Sequence, residues 1–219
     1  MPLLYTVAAR VYPAIHLLWR QREIGLENVP AGGFVLAANH VSNLDPFALG
    51  IALWPRHVVH WMAKAELHNR WLDRAMRSLA AFPVRRGEVD PGALREAQEL
   101  LRAGEVLGMF PEGTRSRKGL NKRFEAKAHP GTARIALGAG VPLVPVAIAG
   151  TDRLSRLGPI RIAYGPPIPV DDLAGLPRKQ AAEIATERLM TAIASLREAL
   201  TGAADPNAPD EPLVEARGR

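Results

Sequence analysis

Short apolar runs alternate with helical patterns along most of this chain. Phe34 to Ala38 is an unbroken apolar run, the pattern of a strand buried on both faces. Similar runs at His57 to Ala63, Phe82 to Arg85, Glu105 to Phe110, Leu143 to Ala149 and Ile160 to Tyr164 predict further strands. Between them, helical spacing predicts helices over Pro46 to Trp54, Glu66 to Leu79, Pro91 to Ala103 and Thr132 to Leu137, with a long last helix over Arg178 to Leu200. Asp90 stands where an N-cap belongs, Pro91 occupies the first helical position, and Gly104 supplies a stop. Alternation of this kind predicts an α/β fold: a single layered domain with a central, mostly parallel sheet flanked by helices.

The two ends read differently. Leu4, Ala8, Val11, Ile15 and Leu18 fall on one helical stripe, with Tyr12 and Trp19 beside it and Thr6, Arg10 and Arg20 elsewhere. No acid precedes Glu23, and Pro13 is expected to kink or split the helix. Residues 1–22 therefore read as an amphipathic segment suited to a membrane interface. A secretory signal is not expected, because a basic n-region is missing and Arg10 interrupts the apolar run. No window approaches the roughly 20 apolar residues of a membrane span; the longest without a charge, Ile135 to Thr151, is broken by glycines and prolines. Residues 23–200 form the predicted domain. Residues 201–219, rich in Ala, Pro and Asp, are expected to be disordered.

Composition narrows the chemistry. A length of 219 residues with 47% apolar and 23% charged residues supports an ordinary core. The net charge of +6 favours anionic partners: lipid headgroups, phosphorylated substrates or nucleic acid. Nucleic acid is set aside, since aromatic content is only 5% and no zinc-finger or aromatic RNA-binding signature occurs. Without cysteine, the chain has no disulfide framework, no thiolate metal site and no cysteine nucleophile.

Two loops carry candidate chemistry. In Asn39-His40-Val41-Ser42-Asn43-Leu44-Asp45-Pro46, a strand hands over to a helix. A carboxylate at Asp45 could accept from Nδ1–H of His40, leaving Nε2 as a general base. Asp45 before Pro46 also reads as an N-cap, and with Ser42 as a capping box. In Phe110-Pro111-Glu112-Gly113-Thr114-Arg115-Ser116, Pro and Gly force a turn that opens a basic run continuing through Arg117, Lys118, Lys122 and Arg123. Arginine beside hydroxyls and free amides suits a phosphate, whereas a solvated basic loop is the plainer alternative. If the strands before these loops are parallel neighbours, both loops face one crevice. The lone His129 reads as a structural loop residue.

Together these segments resemble the phospholipid and glycerol acyltransferase family. Residues 39–45 match its Asn-His-x-Ser-x-x-Asp motif, and residues 110–116 match its Phe-Pro-Glu-Gly-Thr-Arg-Ser motif. Phe82 to Gly87 resembles the arginine-bearing second motif through Arg86, and Val141 to Ile148 the proline-containing fourth, with Pro145. The resemblance spans roughly residues 20–200. It implies transfer of a fatty acyl group from a thioester to the free hydroxyl of a lysolipid, in its most specific form 1-acylglycerol 3-phosphate. It assigns His40 as base and Asp45 as its orienting partner, and gives Arg86, Glu112, Gly113, Thr114, Arg115, Ser116 and Pro145 to substrate binding. No metal or cofactor is implied; acyl-CoA or acyl carrier protein serves as donor. A lysophospholipid, the acyl thioester and an anionic membrane surface are the implied partners, at the cytoplasmic face of a membrane in peripheral or monotopic attachment. Another lysolipid or glycolipid acceptor, or hydrolysis of the thioester, are the alternative activities; a non-enzymatic membrane- or nucleic-acid-binding protein ranks last.

Overall fold

The computed structural model describes residues 3–67, 72–85, 90–113, 128–156 and 159–202. Seven strands form one sheet: β1 (Arg22–Ile24), β2 (Phe34–Ala38), β3 (Val59–Lys64), β4 (Ala81–Val84), β5 (Val106–Met109), β6 (Leu143–Ala149) and β7 (Arg161–Tyr164). Their order is β1-β7-β6-β2-β5-β3-β4. Every pairing is parallel except β6 with β7. The predicted α/β class and mostly parallel sheet are therefore present.

β2 sits in the middle, and all five of its residues are buried. Its side chains alternate between two packed layers. Val35 and Ala37 join the layer beneath α4 (Pro91–Arg102), α5 (Gly131–Ala139) and α6 (Arg178–Gly202). Phe34, Leu36 and Ala38 join the opposite layer, with Leu49 of α2 (Asp45–Ala52) and Trp61 of β3. Both faces are covered, which is why the strand reads as continuous apolar sequence.

The expected start of α4 is observed. Asp90 accepts from the Ala93 amide at 3.1 Å, and Pro91 occupies the first turn. Elsewhere the elements differ. The helix expected over Glu66 to Leu79 is a 3-10 turn, Ala65–Leu67, followed by a shorter α3, Asp73–Ser78. β1 was not expected: it has three residues, two of them charged, at the edge of the sheet. α1 (Leu3–Leu18) runs through Pro13 as one element and packs against α2 and α3. Among its described side chains, Val7, Val11, Leu17 and Leu18 are exposed. No described helix is long and apolar enough to cross a membrane. The tail expected to be disordered lies, from residue 203, outside the described residues.

Candidate active site

The parallel neighbours β2 and β5 end together, Ala37 opposite Met109. The two candidate loops therefore leave the same, C-terminal edge of the sheet, where open α/β sheets form a crevice. Alternation along each strand turns His40 and Phe110 to the layer that holds Trp61. The His40 and Phe110 rings stack with centroids 4.0 Å apart and planes 16° from parallel. Trp61 continues the stack beyond Phe110, at 5.2 Å and 16°. The indole lies flat because Gly108 has no side chain: a Cβ there would stand 2.5 Å from the Trp61 ring.

His40 Nδ1 is 2.8 Å from Asp45 Oδ2. The Asp45 carboxylate is fully buried, and the imidazole is 16% exposed. The same Oδ2 accepts from the Val41 amide at 2.7 Å and the Ser42 amide at 2.8 Å. Oδ1 accepts from the Thr151 hydroxyl at 2.5 Å. All these partners donate, matching a carboxylate with acceptor capacity on both oxygens. In the neutral tautomer that donates from Nδ1 to Oδ2, Nε2 carries the lone pair. Among the described residues, no hydrogen-bond partner meets Nε2.

The geometry revises one sequence expectation. Asp45 is not the N-cap: Leu44 holds that position without a side-chain cap, and Asp45 is the first helical residue. Its carboxylate turns back over the loop instead of forward along the helix. The Ser42 amide bond to Asp45 is one half of the expected capping box. The Ser42 hydroxyl reaches only Leu44 N, at 3.3 Å.

Asn39 fixes the strand end from which His40 projects. Its side-chain amide donates to Ile148 O at 2.9 Å and accepts from Ile148 N at 2.8 Å. A side chain thus replaces the backbone ladder where β2 and β6 part, and both of its polar ends are satisfied inside the core.

Glu112 is buried, with Arg197 Nη1 of α6 at 3.9 Å from Oε1. Gly113 turns with φ of 67°, and the His129 ring lies against it. His129 also donates its backbone N–H to Pro111 O, tying the start of α5 to this loop. Pro145 lies on β6, beside the end of β2. It pairs with Ala37, one residue before the end of β2, and its carbonyl accepts from Gly165 N. Arg86, Thr114, Arg115 and Ser116 lie outside the described residues, as does the basic run through Arg123. Sequence reasoning missed Thr151; its only signal was a hydroxyl residue just after the glycine that ends an apolar strand. Among the described residues, no group of three or more His, Asp or Glu could hold a metal ion.

The family model described as Acyltransferase matches residues 20–149, a span that includes both loops. The 1-acyl-sn-glycerol-3-phosphate acyltransferase of Bacillus subtilis is 34% identical over 179 residues, covering 80% of this chain and 86% of that protein. A probable 1-acyl-sn-glycerol-3-phosphate acyltransferase of Mycoplasma pneumoniae is 35% identical over 130 residues, 57% of this chain and 47% of that protein. The crystal structure of the 1-acyl-sn-glycerophosphate acyltransferase PlsC from Thermotoga maritima superimposes with a TM-score of 0.56 at 25% identity, covering 85% of this chain and 78% of that one. The class defined by fold and motifs is that of the O-acyltransferases. Within it, the chain belongs to the Acyltransferase family.

Proposed function

We propose that the protein transfers a fatty acyl group from a thioester to the free hydroxyl of 1-acylglycerol 3-phosphate, giving phosphatidate, with His40 as general base. The observation that carries this reading is the 2.8 Å bond from His40 Nδ1 to the buried Asp45 carboxylate, on a ring stacked at the open edge of the sheet. Nε2 takes the proton of the acceptor hydroxyl. The oxygen attacks the thioester carbonyl, the C–S bond breaks, and the imidazolium returns its proton to the leaving thiolate. Asp45 holds the tautomer and faces the imidazolium as it forms. A base so placed contributes roughly 10²- to 10⁴-fold, and positioning of the two substrates supplies more. A thiolate leaves readily, so the scheme calls for no metal or cofactor. Coenzyme A or acyl carrier protein carries the acyl group.

The motif match gives Arg86, Glu112 and Arg115 to the acceptor, with the arginines on its phosphate, and has Gly113, Thr114, Ser116 and Pro145 with its strand shape the site. The named activities of the Bacillus and Thermotoga relatives support the choice of acceptor. Attachment is to the anionic cytoplasmic face of a membrane, in peripheral or monotopic fashion. Exposed Val7, Val11, Leu17 and Leu18 of α1 support this, as do exposed Leu44 and Phe47 beside the His40 loop and Leu72 at the start of α3.

The test is thiol release from a long-chain acyl-CoA, and separately from acyl carrier protein, by the full chain across a panel of lysolipids. Release should depend on added acceptor and be fastest with 1-acylglycerol 3-phosphate. Equal release without any acceptor would make the protein a thioester hydrolase and sink the proposal.

A further inference from the structure

The Asp45 carboxylate meets His40 through one oxygen only. The other, Oδ1, is buried and faces a residue 106 positions away, Thr151. The torsion that turns a carboxylate about its Cβ–Cγ bond is broad and soft. A donor on Oδ1 therefore helps fix the plane in which Oδ2 meets the imidazole. Thr151 is itself 2% exposed, so water is a poor substitute donor.

The chain spends local structure on placing this hydroxyl. β6 ends at Ala149, and Gly150 follows with φ of 91°. A Cβ at Gly150 would lie 2.1 Å from Pro159 O, so the turn needs glycine on two counts: its backbone angle and the neighbouring carbonyl. The turn starts a 3-10 segment, Thr151–Arg156, with Arg153 N bonded to Gly150 O at 3.0 Å. Thr151 is thus redirected from the strand toward α2. Its branched Cβ further limits where the hydroxyl points. Asn39 grips Ile148 just before this turn, so the end of β6 is joined to the His40 loop on both sides of His40.

We propose that Thr151 is a positioning residue for acyl transfer, orienting Asp45 by its Oδ1 and through Asp45 the His40 ring. This rests on the reading of His40 as the base. A hydroxyl that served only to brace β6 against α2 would matter to stability, and its effect on rate would follow the folded fraction.

The experiment compares Thr151→Val, which keeps the shape and loses the donor, with Thr151→Ser, which keeps the donor. Steady-state kinetics use acyl-CoA and 1-acylglycerol 3-phosphate, and thermal unfolding is measured on the same preparations. Thr151→Val should lower kcat roughly 10- to 100-fold, the usual cost of losing a group that orients a functional ligand or base. Both KM values should stay at the wild-type level. Thr151→Ser should restore most of kcat, even where its Tm is as low as that of the valine variant. In an Asp45→Asn background, Thr151→Val should cost no further rate, because the partner it acts through is already altered. A valine variant with wild-type kcat overturns the inference. So does a loss shared equally by serine and valine, or a loss that adds fully to that of Asp45→Asn. His40→Ala is run alongside: if it keeps wild-type turnover, the assignment of the base fails, whereas loss in His40→Ala with none in Thr151→Val refutes only the role given to Thr151.

Discussion

The two edges of the one sheet carry the same kinds of side chain and hold them in opposite ways. At the C-terminal edge, His40 bonds a fully buried carboxylate at 2.8 Å and stacks flat on Phe110. At the N-terminal edge, His60 Nε2 lies 3.4 Å from Glu105 Oε2, a carboxylate that is 46% exposed. His57 meets Phe34 edge-on, at 5.3 Å and 85°. Histidine, carboxylate and aromatic ring are present at both ends. What differs is constraint. Asp45 is pinned by three donors besides the imidazole. Water competes freely for Glu105, and a solvated pair of this kind contributes little. An imidazole beside an acid is common; one with its tautomer, plane and carboxylate all fixed has had the entropy of alignment removed in advance.

The largest expected effect tests that contrast directly. His40→Ala should lower kcat for acyl transfer roughly 10²- to 10⁴-fold, the range for a lost general base, while His60→Ala leaves kcat at the wild-type value. Steady-state thiol release on folded, purified variants decides it, and comparable losses from both substitutions would erase the distinction between the edges. A smaller effect concerns the ring stack. A methyl added at Gly108 must displace Trp61, whose ring would be 2.5 Å away. Gly108→Ala should cost about 1–3 kcal/mol in urea unfolding, as overpacking does, and should lower kcat because Trp61 supports Phe110 and Phe110 supports His40. At the opposite edge, a Cβ on Gly32 meets nothing within 4 Å. Gly32→Ala should change stability by no more than about 0.5 kcal/mol, as surface substitutions do.

Much of the C-terminal edge was legible before any coordinates. The apolar run at Phe34 to Ala38 announced a buried strand because both of its faces are covered. The Asn39 to Pro46 and Phe110 to Gly113 loops could be read because strand-to-helix handovers use distinctive residues. Whether the loops share a crevice depended on β2 pairing with β5, a non-local fact that no local pattern encodes. Asp45 had two readable roles, orienting carboxylate and N-cap, and only the direction of its side chain separated them. Thr151 was invisible for a different reason: its partner is far away in sequence, and a threonine after a glycine looks like any turn. The charged, three-residue β1 offers no alternation to read. The antiparallel β7 could not be told from a parallel strand, because apolar runs carry no direction.

The smallest predicted effect belongs to the N-terminal edge and concerns pH. Burial lowers the pKa of His57 below its ordinary value of 6.5, with Arg56 adding to that lowering, while a hydrogen bond to the Pro30 carbonyl and the charge of Glu105 oppose it. His60 Nε2 also lies 3.4 Å from the Glu105 carboxylate. A folded-state pKa below the unfolded value means that the unfolded chain takes up the proton more readily. The stability His57 contributes is therefore fully present above pH 6.5 and is lost as pH falls through the lower, folded value. Solvent around the partly exposed ring damps the effect, so the drop in Tm on acidification should be no more than about 2 °C for a chain of this size. His57→Gln retains an amide donor for the Pro30 carbonyl and cannot gain a charge, so it should flatten this part of the Tm profile. Identical slopes for His57→Gln and wild type would place the proton uptake on another group. His57→Gln should leave kcat unaltered at neutral pH, because the N-terminal edge stabilises the sheet without taking part in transfer; a kcat that fell with this substitution would show that the two edges are coupled.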